Sequence, residues 1–102
     1  MPIKNSILRY YHLYVFPREG ANFPDLLEIV ESATECCQYD TCNFVIATTL
    51  DVKDWYTRLE KFVEPGGRLF ICEINIDNYW GFMNNGLWKM LKKGREGREK
   101  KK

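Results

Sequence analysis

The chain is short of the residues that reactive centres are built from. Its single histidine, His12, stands among apolar neighbours and would need a nucleophile and an orienting acid from elsewhere, so a packed or rim imidazole is the expectation. None of the four cysteines is spaced C-x-x-C, the arrangement that lets two thiolates share a zinc or a redox centre. Cys36, Cys37 and Cys42 cluster, Cys72 lies apart, and all four read as small hydrophobes. There is no G-x-x-x-x-G-K-[ST], no G-x-G-x-x-G and no G-x-S-x-G, so no motif for a phosphate-cradling loop or a nucleophile elbow is present. Apolar runs fall far below the roughly 20 residues that cross a bilayer. Met1 to Ser6 holds no apolar stretch leading to a small-residue cleavage site, so a cytoplasmic location is expected. No catalytic residue, metal or cofactor is predicted.

Basic residues are also missing from a long internal stretch. Between Glu19 and Val52 there is no Lys or Arg, while Asp25, Glu28, Glu31, Glu35, Asp40 and Asp51 fall within it. The balance lies at the other end. Residues 89–102 hold eight Lys and Arg against two Glu, a net +6, which leaves −5 for residues 1–88 of a chain whose total is +1. An acidic body and a basic tail follow. The chain has 102 residues, 45% hydrophobic and 15% aromatic, enough for one folded core and not two.

Ile7 to Phe16, rich in β-branched and aromatic residues and closed by Pro17, predicts a first strand buried on much of both faces. Asn22 then caps a helix, with Asp25 at its third residue where the dipole favours an anion. Phe23, Leu26, Leu27, Val30, Ala33 and Cys37 keep the helical period, and Glu28, Glu31, Ser32 and Glu35 take the opposite face. A very short strand near Cys36 to Gln38 precedes the turn Tyr39-Asp40-Thr41 and a strand at Asn43 to Thr48. Asp51 caps a second helix, again with an acid three places on at Asp54, and Pro65-Gly66-Gly67 stops it. Arg68 to Asp77 predicts a last strand in which Phe70, Cys72, Ile74 and Ile76 share the buried face. Leu87, Trp88 and Leu91 suit a final helix ending near Lys93, with Gly94 as its stop. The aromatics Tyr79, Trp80, Phe82 and Trp88 then either fold back over the sheet, the preferred reading, or form a binding surface.

The fold class expected is α+β: a ferredoxin-like βαββαβ two-layer sandwich with a short second strand and a C-terminal helical segment. Residues 1–93 would form the single domain and 94–102 a mobile basic tail. Two helices on one side leave the other sheet face open, which makes a homodimer the expected assembly.

The chain from Tyr10 to Leu91 resembles the SinR-like family of small bacterial proteins. The resemblance is carried by NFPDLLEIVESA, NFVIATTL, DVKDWYTRLEKFV and RLFICEIN, followed by an aromatic-Gly-Phe and Trp-x-x-Leu ending, here YWGF and WKML. That family is similar in turn to the dimeric CRISPR-associated spacer-acquisition subunit and to the ferredoxin-like antitoxin ribonuclease GhoS. The resemblance implies a ferredoxin-like fold. In members taken as nucleases, an aspartate near the end of the first strand would pair across a dimer at a divalent metal. Here that position falls on or beside Val15, which cannot bind a metal, and the nearest acids are Glu19 and Asp25.

Two functional expectations follow. The first is a non-catalytic interaction module that binds a basic protein surface through Asp25, Glu28, Glu31 and Glu35, such as a phage or defence-system inhibitor or an antitoxin. The second is an RNA- or DNA-binding protein, or a metal-independent endoribonuclease of the antitoxin type. It would use Tyr10, Tyr11 and Tyr14 to stack on bases and Lys92, Lys93 and Arg95 to contact phosphates.

Overall fold

The computed structural model describes residues 7–83 and 85–100, with side chains to residue 97. Its elements are β1 (Arg9–Phe16), α1 (Phe23–Glu31), β2 (Glu35–Asp40), β3 (Asn43–Thr48), α2 (Val52–Val63), β4 (Arg68–Glu73) and α3 (Asn85–Lys100). The strands form one antiparallel sheet in the order β2-β3-β1-β4. The chain is therefore an α+β domain with a four-stranded antiparallel sheet and three helices, compatible with a ferredoxin-like sandwich. No helix among the described residues is long and apolar enough to cross a membrane.

Strand β1 lies at the centre and sends alternate side chains to two separate cores. Tyr11, Leu13 and Val15 join Phe44 and Ile46 of β3 beneath α1 and α2, where Leu26, Val30, Trp55, Leu59 and Phe62 complete the helix-side core. Tyr10 joins Val45 and Ala47 on the opposite face, where Ile76 and the α3 residues Leu87, Met90 and Leu91 close over them. The strand is fully buried on the helix side, while on the second face Tyr10 is buried, His12 and Tyr14 are half-buried and Phe16 is exposed. Of the four aromatics expected to fold back over the sheet, Tyr79 and Trp88 pack against this second core, whereas Trp80 and Phe82 stand exposed.

The local causes are visible at the caps. Asn22 accepts the Asp25 amide at 3.1 Å. Asp51 and Asp54 form a reciprocal capping box, with amide-to-carboxylate distances of 3.0 and 3.3 Å. Thr48, the buried polar residue at the end of β3, accepts from Trp55 Nε1 at 3.2 Å and from the Leu50 amide at 3.1 Å. That one hydroxyl ties β3 to the start of α2.

Four boundaries differ from the sequence reading. Helix α1 ends at Glu31, where the Ser32 and Ala33 amides turn back to the carbonyls of Ile29 and Val30. Glu35 to Asp40 is a six-residue strand rather than a helix end with a very short strand. Strand β4 ends at Glu73. The Ile74 amide still donates to Tyr10 O at 2.7 Å, and the chain then turns so that Ile76 is buried under α3. Phe70 and Cys72, expected inside, are exposed because α3 covers the β2, β3 and upper β1 part of the second face and leaves the β4 side bare.

The last difference is at Gly94. Helix α3 does not stop there but runs on to Lys100, so residues 94–100 of the expected tail are helical, and 101–102 lie outside the described residues. Gly94 meets a steric need. A Cβ there would overlap the Tyr10 hydroxyl and stand 2.6 Å from its Cζ, so glycine lets the helix sit down on the sheet without displacing the Tyr10 ring.

Candidate interaction surfaces

The α1 surface is built by helical periodicity. Leu26 and Val30 turn inward and are fully buried, which points Asp25, Glu28 and Glu31 to solvent. Asp25 sits in the first turn, at the favourable positive end of the dipole. Glu31 sits at the other end, where no base occupies the last turn. Arg58 of α2 reaches this end but donates to Ser32 Oγ at 3.3 Å and lies over the Trp55 ring. Among the described residues none of the three acids makes an ion pair. Like charges at i, i+3 cost about 0.2–0.5 kcal/mol per pair. An acid at a helix C-terminus costs about 0.3–1 kcal/mol more. The face is therefore an uncompensated acidic surface, held at a small cost in stability.

Glu35 is not part of it. The residue lies on β2, half-buried and opposite Ala47, and its Oε2 is 3.4 Å from Lys93 Nζ of α3. It forms a surface ion pair at the rim where α3 meets β2, with the Lys93 side chain largely exposed.

The three tyrosines expected to stack on bases do not share a surface. Tyr11 is fully buried beneath the helices, with its hydroxyl donating to Leu50 O at 3.0 Å. Tyr10 is buried under α3 on the opposite face. Only Tyr14, half-buried and paired with Asn43 and Phe70, keeps an accessible ring. His12 shares that face and is hydrogen-bonded through Nε2 to the Tyr39 hydroxyl. Burial pushes the imidazole pKa down and the Tyr39 pKa up, which favours the neutral form of both partners. Cys36 is pushed up to about 11, mainly by burial and then by Glu31 and Cys37, which keeps it a thiol.

Val15 is fully buried in the helix-side core. Glu19 lies in the exposed turn after Pro17, and Asp25 belongs to α1. Among the described residues no three His, Cys, Asp or Glu side chains are grouped so as to hold a metal.

The basic residues Lys92, Lys93 and Arg95 divide. Lys93 pairs with Glu35, while Lys92 and Arg95 line a cavity of about 410 Å³ beside the 77–81 segment. Its other walls include Tyr79, Trp80 and Trp88. Tyr79 and Trp88 are stacked with centroids 5.6 Å apart and planes at 13°, and the Arg95 guanidinium lies 5.6 Å from the Tyr79 ring. The signal for this grouping was present in the sequence as the YW pair and the Trp88/Lys92/Arg95 spacing. What sequence alone lacked was the fold-back that brings residues 79–80 against α3.

No family model matches the chain, and comparison with the curated proteins and with the solved structures finds no match to either. The likeness to SinR-like proteins rests on the residues quoted for it.

Proposed function

We propose that the chain is a non-catalytic interaction module that holds a partner protein by a basic patch seated on the outer face of α1. The observation that carries this reading is the uncompensated row Asp25, Glu28 and Glu31, in which Glu31 stands against the helix dipole with no base in the last turn. Glu31 and the like-charge spacing bring little benefit to the fold, and complementary charge on a partner would turn that cost into attraction and orientation. Glu35, first grouped with them, is left out because it lies on β2 rather than on α1 and is paired there with Lys93. An inhibitor or antitoxin would use such a face in this way. The strand order β2-β3-β1-β4, with α1 and α2 on one side, supports placing the domain among ferredoxin-like folds.

The test compares the chain with the variant Asp25→Asn/Glu28→Gln/Glu31→Gln for proteins retained from a lysate of its own cells, at about 50 and 300 mM salt. A partner held by wild type at low salt, released at high salt and lost by the variant is expected. Identical retention by both chains would remove α1 from the function.

A homodimer is the assembly proposed with it, meeting along β4. That strand is a sheet edge; its own Phe70 is 61% exposed and Phe16 of the neighbouring β1 is 45% exposed, on the part of the face α3 leaves bare. Mass in solution tests it: a dimer that Phe70→Lys converts to monomer is expected, and a monomeric wild-type chain refutes it.

A further inference from the structure

We infer that the cavity between the 77–81 segment and α3 binds a nucleoside phosphate, with the base on its aromatic walls and the phosphate on Lys92 and Arg95. The site lies on the opposite side of the sheet from α1 and does not depend on what α1 binds.

Three features converge on this chemistry. The first is an aromatic wall that is already assembled: Tyr79 and Trp88 stack on each other, so their rings are held in place before a ligand arrives. The second is Trp80, 99% exposed, an indole that covers nothing in the fold and is free to lie on a planar ligand. The third is charge. Lys92 and Arg95 are three residues apart on α3 and so share a side of the helix, and Arg95 is drawn over the Tyr79 ring. With Asp77 as the one acid of the lining, the cavity keeps a positive surplus, and Asn78 adds an amide that can both donate and accept.

A flat π-surface joined to an anion uses all of these groups. A bare phosphate leaves the rings unused, an uncharged sugar leaves the cations unused, and a fatty chain matches neither. The volume, about 410 Å³, falls in the range of small-molecule sites. The same chemistry comes from two sources, a free mononucleotide or an unpaired nucleotide within a single strand.

Calorimetric titration of the full chain with thymidine 5′-monophosphate and with hexathymidylate tests the site and separates the sources. Equal affinities assign a free nucleotide. A hexamer bound at least tenfold tighter assigns an unpaired strand. In either case Trp80→Ala, which removes a side chain the fold does not use, should weaken binding about tenfold. Lys92→Glu should weaken it further at low salt and flatten its salt dependence. The site is refuted if neither compound binds at millimolar concentration, or if Trp80→Ala leaves affinity unchanged. It is equally refuted if a short duplex binds as tightly as the hexamer, for then the positive charge of α3 alone accounts for the attraction.

Discussion

Replacing Gly94 and Gly97 separately by alanine asks whether α3 rests on the sheet. Both are glycines inside one helix, and alanine improves intrinsic helix propensity by about 1 kcal/mol at an interior site, less near a fraying end. Their surroundings differ. A Cβ at 97 meets nothing within 4 Å, so Gly97→Ala should keep most of its gain, about 0.5 kcal/mol. A Cβ at 94 overlaps the Tyr10 hydroxyl and lies 2.6 Å from Cζ and 3.2 Å from Cε1. Tyr10 is only 4% exposed and packed among Val45, Ala47 and Leu91, so its ring has little room to retreat. Overpacking of this kind costs about 1–3 kcal/mol. Set against the propensity gain, Gly94→Ala should be neutral to about 2 kcal/mol less stable than wild type. In urea unfolding followed by circular dichroism, the two variants should be separated by about 1 M in midpoint. If Gly94→Ala is stabilised as much as Gly97→Ala, α3 does not lie against Tyr10 and the second core does not exist as described.

Thr48→Val keeps the shape of a buried side chain but strips the acceptor from Trp55 Nε1 and the Leu50 amide, and should cost about 1–3 kcal/mol in denaturant unfolding, with Thr48→Ser costing less. Thiol labelling of the native chain should modify exposed Cys72 first and Cys36 last, since Cys36 is half-buried and its pKa is pushed up to about 11; early labelling of Cys36 would contradict the β2 packing. His12 has a pKa lowered by burial, so its proton prefers the unfolded chain. Its contribution is fully present above pH 6.5 and is lost as pH falls from there through the folded value, and stability between pH 7 and 5.5 should be flatter in His12→Gln than in wild type. Glu31→Gln should raise the melting midpoint slightly, because it removes an acid from the wrong end of α1.

The parts of the fold legible in sequence were those with a local chemical cause. Asn22 and the Asp51/Asp54 pair announced the two helix starts, and the run NFVIAT could only be a buried strand. Legibility failed where a distant element decided the outcome. Cys36 and Cys37 fit a helical stripe as well as a strand, and pairing of β2 along the whole of β3 settled it. Gly94 has the composition of a helix stop, yet its role is to admit the Tyr10 ring from the far end of the chain. The alternation made Phe70, Cys72 and Ile76 one dry face, yet within β4 it is Leu69 and Ile71 that pack into the helix-side core, and Ile76 is buried because the chain turns after Glu73 and α3 lands on it. At the sites the same division holds. Asp25, Glu28 and Glu31 follow from helical spacing, whereas the pairing of Glu35 with Lys93, and the meeting of Tyr79 and Trp80 with Lys92 and Arg95, required the chain to fold back.

Carbodiimide cross-linking in a lysate of the chain's own cells, with the joined carboxylates mapped by mass spectrometry, reads out which acids touch a partner's lysines. If α1 is the docking face, inter-protein links concentrate on Asp25, Glu28 and Glu31, spare Asp51, Asp54 and Glu64 of the α2 ends, and fade as salt is raised. Links spread evenly over the exposed acids, or found only away from α1, would contradict it.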